Sequence, residues 1–288
     1  MKNQNVMSVF WDEIDRFGYS EENKKTQQAV SNAIDLGGSK GHDRYTNARE
    51  NEKYIKKNIT PISYIYNNND AGLITVIGAG PTGKDIDKIK KLHQRGKIVC
   101  MDRAHKHLKQ NGITPDWTIT ADINPIVSEY LSEVDERDKV AMAVTQDISI
   151  FESVKQRGAS VWGYMGINPW SWISREIRDI YGETYSGLIS GRVVGTFAVQ
   201  LAMLLGANYL ATIGCECGWL QAEQIEDMYM DIAMPKTNLQ GVLVWTIPAF
   251  WFGAGSMQLA MQVLNKRLNR LVSYHDYSGG LLSGIKVV

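Results

Sequence analysis

The chain has 288 residues, 44% of them hydrophobic and 22% charged, which excludes a disordered chain and allows one large domain or a domain plus a smaller extension. Its 31 basic and 31 acidic residues cancel, so a protein devoted to nonspecific nucleic-acid binding is excluded, though a local basic groove is not. Three cysteines, Cys100, Cys215 and Cys217, exclude a disulfide framework and fit a reducing compartment; the C-x-C pair lacks the spacing of a zinc knuckle.

Residues 1–66 are polar and rich in Asn, Lys and Glu, and read as a helical N-terminal extension. Val6, Val9, Phe10 and Ile14 share a helical face, and further helices are predicted over Glu21–Leu36 and Asp43–Asn58, with Pro61 closing the run. The N-terminus shows no apolar leader, and Val193–Leu205, which contains Gln200, is too short to span a bilayer. A cytoplasmic protein is expected.

From residue 67 to 288 the rhythm is that of a single Rossmann-like domain. Leu73–Ile77, Lys97–Met101, Trp117–Ala121, Val140–Val144, Ser160–Tyr164 and Tyr209–Ile213 are short apolar, β-branched runs, the signature of buried parallel strands. Between them lie predicted helices over Asp85–Arg95, Arg103–Gln110, Ser149–Arg157 and Val193–Leu205. This alternation predicts an α/β fold with a doubly wound, mostly parallel sheet. The acidic, Met-rich stretch Gln221–Leu239 reads as a mobile loop or lid. Val242–Trp245 reads as a strand, Ser256–Leu271 as a helix, and Ser273–Ser278 as a last strand before Gly279-Gly280.

Five segments at strand ends carry chemistry. Gly78-Ala79-Gly80-Pro81-Thr82-Gly83 joins a strand to a helix; its glycines permit close backbone approach, and amides beyond it suit a phosphate. It is neither a Walker loop nor a full dinucleotide fingerprint, and a tight strand-to-helix turn with no ligand is the alternative. Asp102 either accepts hydrogen bonds from a ribose or base, or caps the following helix. Asp122 is placed to hold Mg2+ on a diphosphate or to act as a base, with Asn124 assisting; capping is the alternative. Gly195 and Thr196 open a helix that can hold another part of a donor, with Arg192 on a phosphate, or they start a buried helix. Glu216, in Gly214-Cys215-Glu216-Cys217, is an acid or base candidate, with a structural turn as the alternative. Trp162, Trp170 and Trp172 flank Asn168-Pro169 and either stack on a base or sugar or fill the core.

Four stretches in this order resemble one family, which contains the archaeal 6-hydroxymethylpterin diphosphokinase (MptE-like) proteins and the bacterial flagellin motility accessory factors. They are Val76–Gly83, Met101–Asn124, Val193–Glu216 and Asp276–Val287. The resemblance covers residues 70 to 288 and implies a Rossmann-like transferase core. The glycine turn is also similar to that of bacterial sialyltransferases, where it holds the nucleotide of a nucleotide-sugar. Gly112-Ile113-Thr114-Pro115-Asp116 resembles thiamine pyrophosphokinase, in which an aspartate cluster binds magnesium; here Asp122-Ile123-Asn124 stands in place of two spaced carboxylates.

The resulting expectation is a transferase with a nucleotide-activated donor, glycosyltransferase-like, acting on a hydroxyl acceptor. Gly78, Gly80, Pro81, Thr82, Asp102, Asn124, Gly195 and Thr196 would bind the nucleotide, and Asp122 and Glu216 would be catalytic. The alternatives are a diphosphokinase moving pyrophosphate from ATP to a pterin-like hydroxymethyl group with Mg2+, and a non-catalytic nucleotide-binding or assembly protein.

Overall fold

The computed structural model describes residues 39–287 except 66–69, 168–171, 183–184, 186, 192 and 226. The predicted helix at Glu21–Leu36 and the apolar face from Val6 to Ile14 lie outside the described residues, as do Arg192, Asn168, Pro169 and Trp170. Helix α1 (Ser39–Asn58) is followed by strands β1 (Thr60–Pro61) and β2 (Leu73–Ile77), helix α2 (Ile86–His93), β3 (Gly96–Met101), α3 (Asp102–Gln110) and β4 (Trp117–Thr120). Then come α4 (Val127–Tyr130), β5 (Lys139–Ala143), α5 (Ile148–Gln156), β6 (Ser160–Ile167), α6 (Trp172–Tyr181), β7 (Gly187–Ile189), α7 (Val194–Leu204) and β8 (Tyr209–Ile213). The chain ends with β9 (Met234–Thr237), β10 (Leu243–Thr246), α8 (Pro248–Leu268) and β11 (Ser273–Asp276).

The main sheet runs β1-β6-β5-β4-β3-β2-β8-β11, with β7 added on β6, and every pairing in it is parallel. Buried parallel strands need apolar side chains on both faces, and alternate residues do enter different cores. Val76, Val99 and Ile119 pack with α7 and α8, whereas Ile77, Ile98 and Cys100 pack with Ile89 of α2 and Leu108 of α3. Helices therefore cover both faces in a Rossmann-like α/β fold. On the far half of the sheet, Ala48 and Ile55 of α1 pack with Phe151 of α5 and Ile177 of α6, so the described N-terminal helix is docked on the sheet. Asn51 donates to the carbonyl of Gln146 at 2.8 Å.

From β2 the chain winds through β3 to β6 on one side, then returns to β8 on the other. The switch point thus falls between β2 and β8, where open α/β sheets place their ligand crevice. No helix among the described residues is long and apolar enough to cross a membrane.

The structure differs from the sequence reading in four places. Strands β1 and β7, of two and three residues, are too short to show a period, and α6 lies in a stretch with no strong start signal. The lid-like stretch contains β9, which pairs antiparallel with β10 despite Pro235. The last helix begins at Pro248 rather than Ser256, since proline suits a first helical position. Gly253, inside this helix, serves packing: a Cβ there would meet the Val193 side chain at 2.7 Å.

Candidate functional site

The glycine turn leaves β2 beside the turn that leaves β8, and the two are clamped together. A Cβ on Gly78 would lie 2.1 Å from the carbonyl oxygen of Gly214, and one on Gly83 would lie 2.2 Å from that of Gly78. Both positions need glycine because backbone meets backbone. Thr82 joins the turns: the Gly214 amide donates to its Oγ1 at 2.8 Å, and that hydroxyl donates to Glu216 Oε1 at 2.6 Å.

The sequence reading needs correction on where the turn's amides point. Gly78 donates to Ile213, Gly80 to Gly214 and Gly83 to Gly80, all through backbone carbonyls. The Thr82 amide donates to Glu216 Oε1 at 2.7 Å. The anion at the Thr82 amide is the protein's own carboxylate, which fits there because Gly80 has no side chain to exclude it: a Cβ there would sit 1.8 Å from Glu216 Oε2. Glu216 is 2% exposed and its Oε2 has no partner. Burial raises its carboxyl above the ordinary value, with the Thr82 bonds opposing.

The C-terminal segment backs this carboxylate. Leu281 donates to the Glu216 carbonyl, and a Cβ on Gly280 would strike that oxygen at 2.1 Å. Asp276 organises the segment, accepting from Thr212, Ser278, Gly279 and Ser283. The sequence reading did not single out Asp276, although Asp-x-Ser-Gly is a local turn signal.

At the end of β3, Asp102 opens α3 and is 5% exposed. It accepts from the Arg103 amide and from Thr120 Oγ1, both at 2.7 Å. Burial raises its carboxyl despite these donors. Gln146, fully buried, donates to Thr120 Oγ1 and to the Asp122 carbonyl. A hydrogen-bonded line thus runs from Asp102 to the backbone of Asp122 (Gln146 carries no sequence signal). Asp122 itself is exposed at the end of β4, with Oδ1 accepting from the Asn124 amide at 3.1 Å. Asn124 in turn accepts from the Ile126 amide at 3.1 Å, in the turn that precedes α4.

Gly195 and Thr196 lie in the first turn of α7 and are buried. A Cβ on Gly195 would meet Met101 and Met257 at 3.0 Å, so this glycine lets α7 approach β3 and α8. Thr196 is fully buried with its hydroxyl unpartnered. Trp162 packs on Trp117 with ring centroids 5.5 Å apart and joins the core. For Mg2+, the donors offer a poor set: Asn124 Oδ1 already accepts from the Ile126 amide, Asp102 is turned inward, and no group of three His, Cys, Asp or Glu among the described residues could hold a metal.

The strand ends therefore bring Gly78–Thr82, Asp102, Asp122, Asn124, Glu216 and the start of α7 to one edge of the sheet. The model of a family described as "6-hydroxymethylpterin diphosphokinase MptE-like" matches residues 45–222. No curated protein matches. Among solved structures, the chain is similar to a MAf glycosyltransferase from Magnetospirillum magneticum AMB-1, with 18% identity and a TM-score of 0.55 over 83% of this chain. The chain spans 37% of that larger one, and at this identity the likeness is one of fold.

Proposed function

Since the chain belongs to the MptE-like family, we propose that it is a transferase using a nucleotide-activated donor, glycosyltransferase-like, with a hydroxyl acceptor. The observation that carries this reading is the gathering of the family's motif residues at the C-terminal edge of a parallel sheet, around its β2–β8 switch point. The fold shared with a MAf glycosyltransferase supports it.

In this reading the nucleotide lies over Gly78–Thr82 and the start of α7, where Gly195 and Thr196 sit. Asp122, the exposed carboxylate of the edge, takes the proton of the acceptor hydroxyl. The acceptor oxygen bonds to the sugar's anomeric carbon as the bond from that carbon to the phosphate oxygen breaks, and the electron pair leaves with the phosphate. Glu216 acts as a positioning residue: it fixes Thr82 and so the path of the glycine turn. Asp102 positions the end of β4 through Thr120 and Gln146.

The family description favours a second reading, pyrophosphate transfer from ATP to a hydroxymethyl acceptor. One pair of experiments separates the two. Nucleotides and nucleotide-sugars are screened for a rise in melting temperature, which follows ligand affinity, and the stabilising ones are assayed for turnover. Donor hydrolysis with a nucleotide-sugar is expected, whereas AMP release from ATP with a pterin-like acceptor supports the diphosphokinase. If no nucleotide shifts the melting temperature, both readings fail; a shift without turnover leaves a nucleotide-binding protein.

A further inference from the structure

Away from the switch-point edge, one strip of surface combines cations with rings. On the α2–α3 face of the sheet, Ser273, Tyr209 and Leu73 stand side by side, as do His275, Ala211 and Thr75 one step higher. Tyr277 follows on the same face, packed beside Ile77 and Ile213. Tyr209 is 59% exposed, His275 and Ser273 are also exposed, and Tyr277 is half-buried. The β8–β11 end of this face thus presents three rings, with His275 and Tyr277 edge to face at 4.4 Å.

Helix α2 walls this strip. Lys88 Nζ lies over the Tyr277 ring at 4.7 Å, which fixes the flank of α2 that faces β11. Helical spacing puts Lys91 on the same flank; Arg95 follows in the turn that ends the helix, and Lys84 precedes its Asp85 cap. Lys84, Lys91 and Arg95 are exposed. The nearby acids cancel them only in part: Asp87 sits one turn before Lys91 and offsets one charge, but from Lys84 to Lys97 six Lys and Arg stand against two Asp. Asp85 caps α2, Asp70 holds the Gly72 amide, and Asp276 is turned onto Thr212, Ser278 and Ser283. In a chain whose net charge is zero, this is a local segregation of charge next to exposed rings.

A cationic track beside stacking rings is the arrangement that holds single-stranded nucleic acid without sequence preference: cations follow the phosphates and rings take the bases. We propose that this strip binds a single-stranded polynucleotide. Lys84, Lys88, Lys91 and Arg95 contact phosphates, and Tyr209 and His275 stack on bases. An anionic membrane is less well matched, because the exposed side chains of the strip are mostly rings and polar groups, with Leu271 just before β11 as an exposed aliphatic beside them. The proposal goes beyond transfer at the switch point and does not depend on it.

The test is fluorescence anisotropy of a labelled single-stranded oligothymidylate with the full chain at a series of salt concentrations. Binding that weakens with salt is expected. Tyr209→Ala should weaken it roughly five- to a hundredfold while Tyr209→Phe retains it. Lys88→Gln with Lys91→Gln should lower the salt slope by about 1.4. These side chains lie at the surface, and circular dichroism checks that each variant folds. The proposal is overturned by an absence of binding at low salt, or by unchanged binding in both Tyr209→Ala and His275→Ala. It is also overturned by displacement of the oligonucleotide by mononucleotides, which would place it at the switch point, or by ring-dependent binding to phosphatidylserine vesicles.

Discussion

Glu216 follows β8 and Asp122 follows β4, at the same edge of the sheet, but the first is 2% exposed and the second lies in solvent. In the sequence both are carboxylates just past an apolar run. The difference comes from their neighbours. Glu216 enters a space left by Gly80 and is held by an amide and a hydroxyl of Thr82. Among the described residues, the Asp122 side chain meets only the amide of Asn124, two residues on. One corner of the edge is built and closed, and the other is open, which is why Glu216 is read as positioning and Asp122 as reacting.

The hardest way to break the closed corner is Gly80→Ala. The new methyl falls 1.8 Å from Glu216 Oε2 and 2.9 Å from the Gly214 carbonyl, so the carboxylate must leave its bonds to Thr82. Overpacking and the lost charge-assisted bonds together are expected to cost about 3 kcal/mol, read as a lower urea midpoint with an unchanged slope. An alanine at the open corner, replacing Asn124, has no such clash to make and should cost no more than the lost hydrogen bond from Ile126, about 1 kcal/mol.

A subtler probe is Glu216→Gln. Burial raises the Glu216 carboxyl above its reference value of 4.5. Between that value and the folded one, the native state binds more protons than the unfolded state, so this group's contribution to stability falls as pH rises. The amide that replaces the carboxyl does not titrate. The variant should therefore gain stability relative to the parent as pH is raised above 4.5, from a starting difference of about 1 kcal/mol. Urea unfolding of both proteins across the acid range checks this. Asp102, whose carboxyl burial also raises, is common to both and drops out of the difference. A difference that is flat with pH would show that Glu216 is not desolvated.

Much of the fold is visible in the sequence because most sheet strands are buried on both faces and so read as unbroken apolar runs; Leu73–Ile77 and Tyr209–Ile213 are in place to the residue. Strands β1 and β7 are too short for that signal. The site is visible in part. The glycine turn, Asp102, Asp122 and Glu216 all stand at strand ends, and the position of a residue after a strand is a local property. What fills the turn is not local: Thr82 and Glu216 are 134 residues apart. The same holds for Gln146, whose bonds to Thr120 and Asp122 cross between strands.

The smallest structural effect and the sharpest functional one are expected together at the open corner. Asp122→Asn keeps the size of the side chain and an oxygen for the Asn124 amide, so stability should change by less than about 0.5 kcal/mol. Asparagine cannot take a proton from an acceptor hydroxyl, so transfer should fall by roughly a hundredfold or more. The nucleotide-induced rise in melting temperature should remain, because donor binding in this reading uses Gly78–Thr82 and the start of α7. Asp122 has a single protein partner for its side chain among the described residues, the amide of Asn124, and asparagine can keep that bond. A variant that unfolds more easily, or that loses nucleotide binding along with transfer, would mean that Asp122 supports the edge rather than reacting at it. The contrast with Glu216 would then disappear.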